Sequence, residues 1–344
     1  MAGCHPSRGR KSSRDGQRLW FAVPVAAMAV LLALSSLPAS AYGYGVKEFM
    51  KAYRNPKVSR IEVKGDVILS SSLPPLSRNL TILGLGRKRP VIDGRGRYAG
   101  IETGSRLTVK NVEFRGFVTR REWGGAAIHS SGTDNVFESC VFRNNRALGK
   151  KNQLEDSYGC GGAVSFYDGT WAISKCQFIG NRADSYGGGF YAVSDSNGKI
   201  TRSTFRNNYS GRRGGAVTVR DSSAAIGGCT FQGNQENGEG GGALSCSKAS
   251  CVIWGNAFKN NVAKGNGGAI RVFADQDTGS GVFCRGNTFC GNRARNESTS
   301  NMYVLVEEDA SGVFSFCAPT APTKTKVDTP KGGVKYGDCR GCPK

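Results

Sequence analysis

Three aspartates at matching places in a repeated unit, Asp168, Asp195 and Asp221, are the residues of this chain best spaced for chemistry. Carboxylates stacked on successive turns of a repeat, about 4.8 Å apart, repel one another unless a cation sits among them, so the spacing reads as a candidate Ca2+ site. The plainer reading is turn chemistry, because each is followed by Gly or Ser where a strand ends. Imidazole chemistry has little to work with: the sequence holds 2 histidines, and one of them, His5, lies in an N-terminal leader. The other, His129, is expected on an exposed outer surface beside Ser165. The Asn-Thr-Asp, Asp-Asp and His-Gly signatures of polysaccharide hydrolases do not occur in the sequence. No catalytic residue is assigned, and catalysis is disfavoured.

A binding surface is better supplied. Tyr167, Arg220, Arg271 and Phe273 fall at outward positions of the repeat, with Trp171 near the following turn. Aromatic and cationic side chains on a flat sheet stack on sugars and pair with acidic groups. The chain carries 47 Lys+Arg against 26 Asp+Glu, a formal net charge of +21. Without residues 1–41 the counts are 42 and 25, leaving +17. This charge favours acidic partners, an acidic polysaccharide or cell-surface glycan first among them, with anionic lipid and non-specific nucleic acid as others. No nucleic-acid-binding motif accompanies it, so no specific nucleic acid is expected. General solubility is the plainer reading of the same number.

Cysteine use points to an oxidising compartment, since eleven of the 12 cysteines follow the leader. Cys246 and Cys251 are close enough to bridge a turn, and Cys339 and Cys342 read as a local disulfide. Cys140 and Cys176 share a repeat position and are expected as buried thiols. Sequons stand at Asn79, Asn208 and Asn296.

The elements that position these groups come from the repeat itself. Phe-x-x-Asn recurs at Phe142/Asn145, Phe178/Asn181, Phe205/Asn208, Phe231/Asn234, Phe258/Asn261 and Phe289/Asn292. Gly-Gly followed by Ala or Phe recurs at Gly161-Gly162, Gly188-Gly189, Gly214-Gly215, Gly241-Gly242 and Gly267-Gly268. From the second glycine the spacings are 27, 26, 27 and 26 residues. Positions +2 (Val164, Tyr191, Val217, Leu244, Ile270) and +4 (Phe166, Val193, Val219, Cys246, Val272) alternate with small or polar residues, which predicts a strand. Position +11 is Ile173, Ile200, Ile226 and Ile253, and the step changes before the repeat Phe at +16, which predicts a bend between short strands.

Such a unit cannot bury its inner face alone, so stacked units must share one core. The fold class is therefore all-β, a single-stranded right-handed parallel β-helix. The repeat asparagines would form a structural ladder at one corner, and Asn208 belongs to it rather than to a glycan. Val46, Phe49, Met50 and Tyr53 share one face of a short helix that caps the first coil. The expected domains are a signal peptide over 1–41, a β-helix over 42–317 with clear repeats over 124–292, and a basic disordered tail over 318–344. The leader has five basic residues ahead of an apolar run over 19–34 and closes on Ala39-Ser40-Ala41. If uncleaved it would be the only membrane contact; a plastid-lumen address is the alternative in an algal host.

The Gly-Gly-Ala-Ile and Phe-x-x-Asn pair resembles the repeats of the chlamydial polymorphic outer membrane proteins, over about half of the chain. The resemblance implies a right-handed β-helix of the pectin-lyase-like kind, with surface display and adhesion. The family's C-terminal autotransporter barrel has no counterpart after Asn292, where serial alternating strands are missing. The opening region, from Ile61 to Phe114, is similar to the start of pectate-lyase-like β-helices. The expected protein is a secreted or surface monomer with a non-enzymatic binding, adhesion or structural role. The alternative is a polysaccharide lyase or hydrolase using the aspartates.

Overall fold

The computed structural model describes residues 39–43, 45–150, 157–275, 281–295, 297–306, 314–317, 322–328, 334–336 and 342. The expected leader lies outside them except for its last three residues, which belong to the strand Ala39–Gly43. Asn296 and Cys339 also lie outside.

Short strands wind into a right-handed parallel β-solenoid of about 9 turns. One turn runs Val164–Tyr167, Thr170–Ser174, Gln177–Ile179 and Arg182–Ala183. Each strand stacks in parallel on its counterparts, building sheets 1 to 4 of nine, twelve, nine and six strands. The apolar periodicity explains the stacking, because each sheet turns one row of side chains inward. In sheet 2 that row is Ile61, Ile82, Val109, Phe137, Ile173, Ile200, Ile226, Ile253, Phe283 and Phe316. In sheet 3 the repeat phenylalanines from Phe114 to Phe289 stack with centroids 4.6 to 5.6 Å apart.

The corner between sheets 3 and 4 is polar and buried. Asn181 donates its backbone N–H and its Nδ2 to Oδ1 of Asn208, both at 3.0 Å, and Nδ2 also reaches the Phe142 carbonyl at 3.0 Å. The same triplet repeats at Asn145, Asn208, Asn234 and Asn261, and Asn292 closes the series against Asn301 and the Phe258 carbonyl. Phe117, which stands where a seventh asparagine would, offers only its N–H to Asn145. A second ladder lines the corner between sheets 2 and 3. There Cys140 N–H meets Cys176 Sγ, Cys176 N–H meets Ser203 Oγ, and Cys229 N–H meets Asn256 Oδ1. Cys140 and Cys176 are thiols with this role.

Both ends are covered. The helix Val46–Arg54 buries Phe49, Ala52 and Tyr53 over the first turn. Arg78 ties its C-terminus down, donating to the carbonyls of Ala52, Tyr53 and Val58. At the other end the tail expected to be disordered over 318–344 supplies two strands instead. Thr325–Asp328 pairs with Met302–Val306, and Val334–Tyr336 pairs with Phe314–Phe316. Cys342 is joined to Cys284, not to Cys339, because the tail folds back onto sheet 2. Cys246 and Cys251 are bonded across the turn from sheet 1 to sheet 2, with both side chains inside the core.

Register differs from the expectation in one turn. Val164 pairs with Phe190 and Ser165 with Tyr191, so Phe190 and Ala192 point inward while Tyr191 and Val193 point out. Three glycines in a row make the pair ambiguous in sequence. The structure needs Gly187 first, at φ +62°, where a Cβ would stand 2.1 Å from the Phe190 carbonyl oxygen. Gly189 then takes the slot that alanine fills elsewhere. Trp171 likewise is not beside the outer face: it is buried between Phe166 and Phe190, with Gly198 leaving room for its indole.

Replacing a ladder asparagine strands several buried groups at once, each costing about 1–3 kcal/mol. Asn208→Ala is therefore expected to lose about 4 kcal/mol in urea unfolding, whereas the exposed Asn79→Ala loses less than about 1 kcal/mol. In folded protein from a glycosylating host, glycopeptide mass spectrometry should find Asn208 bare.

Candidate functional site

The outward side chains of sheet 1 form a row: Glu102, His129, Ser165, Tyr191, Thr218, Ser245, Arg271 and Tyr303. Such a row would be solvated on a bare sheet. Here Ser165, Tyr191, Thr218 and Ser245 are fully buried, and Arg271 is 8% exposed. The cover is the chain that enters each sheet 1 strand from sheet 4. Tyr186, Arg213, Gly240 and Asn266 bridge in sequence from turn to turn, making a ridge along the solenoid. The Thr218 hydroxyl donates to the Arg213 carbonyl at 2.8 Å, fixing the ridge to the row. Gly214 is required at that point, since at φ +60° a Cβ would lie 2.3 Å from the same hydroxyl.

Beneath and beside the ridge a second apolar cluster forms outside the main core. Cys160, Tyr186, Tyr191 and Val193 are its buried members, with Trp123 and Tyr167 packed against them. The Trp123 and Tyr167 rings are 4.7 Å apart. A pocket of about 380 Å³ opens next to this pair, lined by Glu122, Trp123, Ser157, Val193, Ser194, Arg220 and Asp221.

Positive charge gathers along the ridge. Arg212, Arg213 and Arg220 all lie 5.1 to 5.7 Å from the Tyr186 ring centroid. Glu239 pairs with Arg212 at 3.0 Å and with Arg213, and it is held below the usual carboxylate range despite partial burial. Arg220 pairs with Asp221 at 3.1 Å yet keeps 27% of its side chain exposed. Burial, and then the charge of Arg213, pushes the Arg271 guanidinium down to about 10. Its Nη1, the Ser245 hydroxyl and the Tyr191 hydroxyl have no hydrogen-bond partner among the described residues.

Of the expected binding residues, Arg220 lines this pocket and Tyr167 packs on its Trp123 wall, while Arg271 lies two turns on, under the ridge and 5.2 Å from the Phe273 centroid. The three aspartates do not stack. Ser194 occupies the place beside Asp168 and Asp221, and Asp195 is an extra residue in a turn where Ser194 and Asp195 both have positive φ. Asp168 binds its own turn through Gly169 N–H at 2.6 Å. No group of three His, Cys, Asp or Glu side chains able to hold a metal occurs among the described residues.

His129 is not an exposed surface residue. Its Nδ1 is 2.8 Å from the Ser165 hydroxyl, and burial, followed by the nearby Arg121 charge, lowers its pKa from 6.5 to about 4. Arg121 is itself turned toward Glu102, at 3.1 Å. Trp123, Tyr186, Arg212 and Arg213 escaped the sequence reading. The residue just before each left-handed glycine is a repeat position in its own right, and Tyr186, Arg213, Gly240 and Asn266 could have been found there.

Residues 97–258 match the family model described as a right handed beta helix region. Residues 257–272, which carry Phe258/Asn261 and Gly267-Gly268-Ala269-Ile270, match the Chlamydia polymorphic membrane protein repeat. No curated protein matches the chain.

The folded His129 takes its proton less readily than the unfolded one, so stability is intact above pH 6.5 and is lost as pH falls toward 4. The loss amounts to about 3 kcal/mol for this group. Urea midpoints at pH 7 and pH 4.5 should therefore separate more for the native chain than for His129→Gln.

Proposed function

We propose that this protein is a surface-displayed β-helix that binds acidic glycan along sheet 1 and its ridge without cleaving it. The observation that carries the reading is the pocket beside the Trp123 and Tyr167 rings, with the part-exposed Arg220 at its edge. An aromatic face takes the apolar side of a sugar ring, and a guanidinium forks onto a carboxylate or sulfate. Arg212 and Arg213, in the same turn as Arg220, widen the positive surface around the Tyr186 ring. The repeat match supports display at a surface or outer membrane.

The lyase or hydrolase alternative drew on stacked aspartates, and the separation of Asp168, Asp195 and Asp221 takes away that support.

Retention on immobilised polyuronate or sulfated glycan is expected to fall at least about tenfold in Arg220→Glu and in Trp123→Ala, consistent with the loss of a charge-assisted or stacking contact. Arg220→Gln guards against a folding effect. Cation-dependent release of reducing or unsaturated ends, abolished by Asp221→Ala, would overturn the reading.

A further inference from the structure

The N-terminal end of the solenoid carries a second concave surface, which shares no lining residue with the pocket beside Trp123. A cavity of about 620 Å³ opens beside the helix Val46–Arg54, bounded on its other side by Ser70 and Ser71. Lys47, Lys51 and Arg54 line it at i, i+4 and i+7, so they share one helix face. All three are exposed, and none has an ion-pair partner among the described residues. The strip is not purely polar. Val46 and Met50 stand in the same wall, half-buried, and Ile68 is 56% exposed, the most exposed large hydrophobic side chain among the described residues.

Charge along the chain is concentrated at this end. Residues 45–97 hold twelve Lys and Arg against four Asp and Glu, a surplus of eight. Residues 98–344 hold thirty against twenty-one, a surplus of only nine over a segment more than four times as long. Cations alone would suit any polyanion. Exposed cations beside a half-buried Met50 and the exposed Ile68 suit an interface in which phosphates and acyl chains lie side by side. Among the described residues only the strand Ala39–Gly43 stacks beyond the first turn at this end.

We infer that this end docks on an anionic lipid bilayer, with Lys47, Lys51 and Arg54 at the level of the phosphates and Met50 and Ile68 at the headgroup–acyl boundary. This is independent of glycan binding on sheet 1; the leader, with five basic residues of its own, is common to every variant, so the helix substitutions report on this end alone.

Sedimentation of the full-length protein with phosphatidylcholine vesicles, with and without phosphatidylserine, tests it. Binding is expected to require phosphatidylserine and to weaken with salt. It should fall about a hundredfold or more in Lys47→Glu/Lys51→Glu/Arg54→Glu, at roughly fivefold per cation lost. Ile68→Asp should weaken it while leaving the salt dependence in place. Lys199→Glu/Lys259→Glu, which alters charge elsewhere, should bind as the native chain does, and thermal melts check that each variant folds. Equal binding to neutral vesicles, or undiminished binding by the triple variant, overturns the proposal. So does a triple variant that keeps its vesicle binding but loses retention on acidic polysaccharide, which would make this end a glycan site.

Discussion

Where sheet 3 hands the chain to sheet 4, a backbone N–H points along the solenoid axis at a place where no strand carbonyl stands opposite. In the interior that donor has no access to water, and an unmet group costs about 1–3 kcal/mol in every turn. The asparagine of the following turn supplies the acceptor. Its amide is used to capacity: Oδ1 takes two donors from one turn while Nδ2 gives to the next ladder oxygen and to a phenylalanine carbonyl. A polar wall is thereby built inside an otherwise apolar tube, with the phenylalanine stack directly beside it.

The ladder makes length variation tolerable only outside the corner. Thirty-six residues separate Asn145 from Asn181 and thirty-one separate Asn261 from Asn292, yet the amides bond as they do where the interval is twenty-six. The surplus is taken up in loops, and in one turn by the single extra residue Asp195. Sheet 1 therefore keeps its rows aligned, and the short segments that lead into it lie on its outer surface as a ridge. The glycines before each strand let that backbone approach closely. A covered row of polar side chains, a small outer aromatic cluster and the pocket beside it all follow from this close approach.

That chain of causes explains what was legible in the sequence. The corner phenylalanines, the ladder asparagines and the isoleucine row of sheet 2 each obey a local chemical demand, so their spacing is visible. The helix was legible for the same reason, since Phe49 and Tyr53 sit one turn apart on its buried face. The turn at Gly187, Gly188 and Gly189 was not, because all three glycines satisfy the motif and only pairing with neighbouring turns decides which one adopts positive φ. One residue of slip carried the aspartate stack with it. The ridge was also hidden: whether an outward residue is solvated depends on what lies over it, and no periodicity of the sheet strand reports that. The Pro, Gly and Lys content of the tail predicts disorder, whereas the short strands Thr325–Asp328 and Val334–Tyr336 pair with the last turns and Cys342 is bonded to Cys284.

A stack in which each turn touches only its neighbours also separates its electrostatic surfaces. At physiological salt, exposed charges are screened over about 8 Å. Trp123 enters the solenoid some three turns beyond the capping helix, and Arg220 later still, so at about 4.8 Å per turn the intervening distance is on the order of 15 Å or more. The cations of the helix therefore do little to the affinity of the sheet 1 pocket, and Arg220 does little to the end face. The proposed glycan contact on the flank and the proposed lipid contact at the end would therefore not tune one another. A globular protein of the same net charge would have to partition one continuous field between them; the solenoid keeps them apart by length alone.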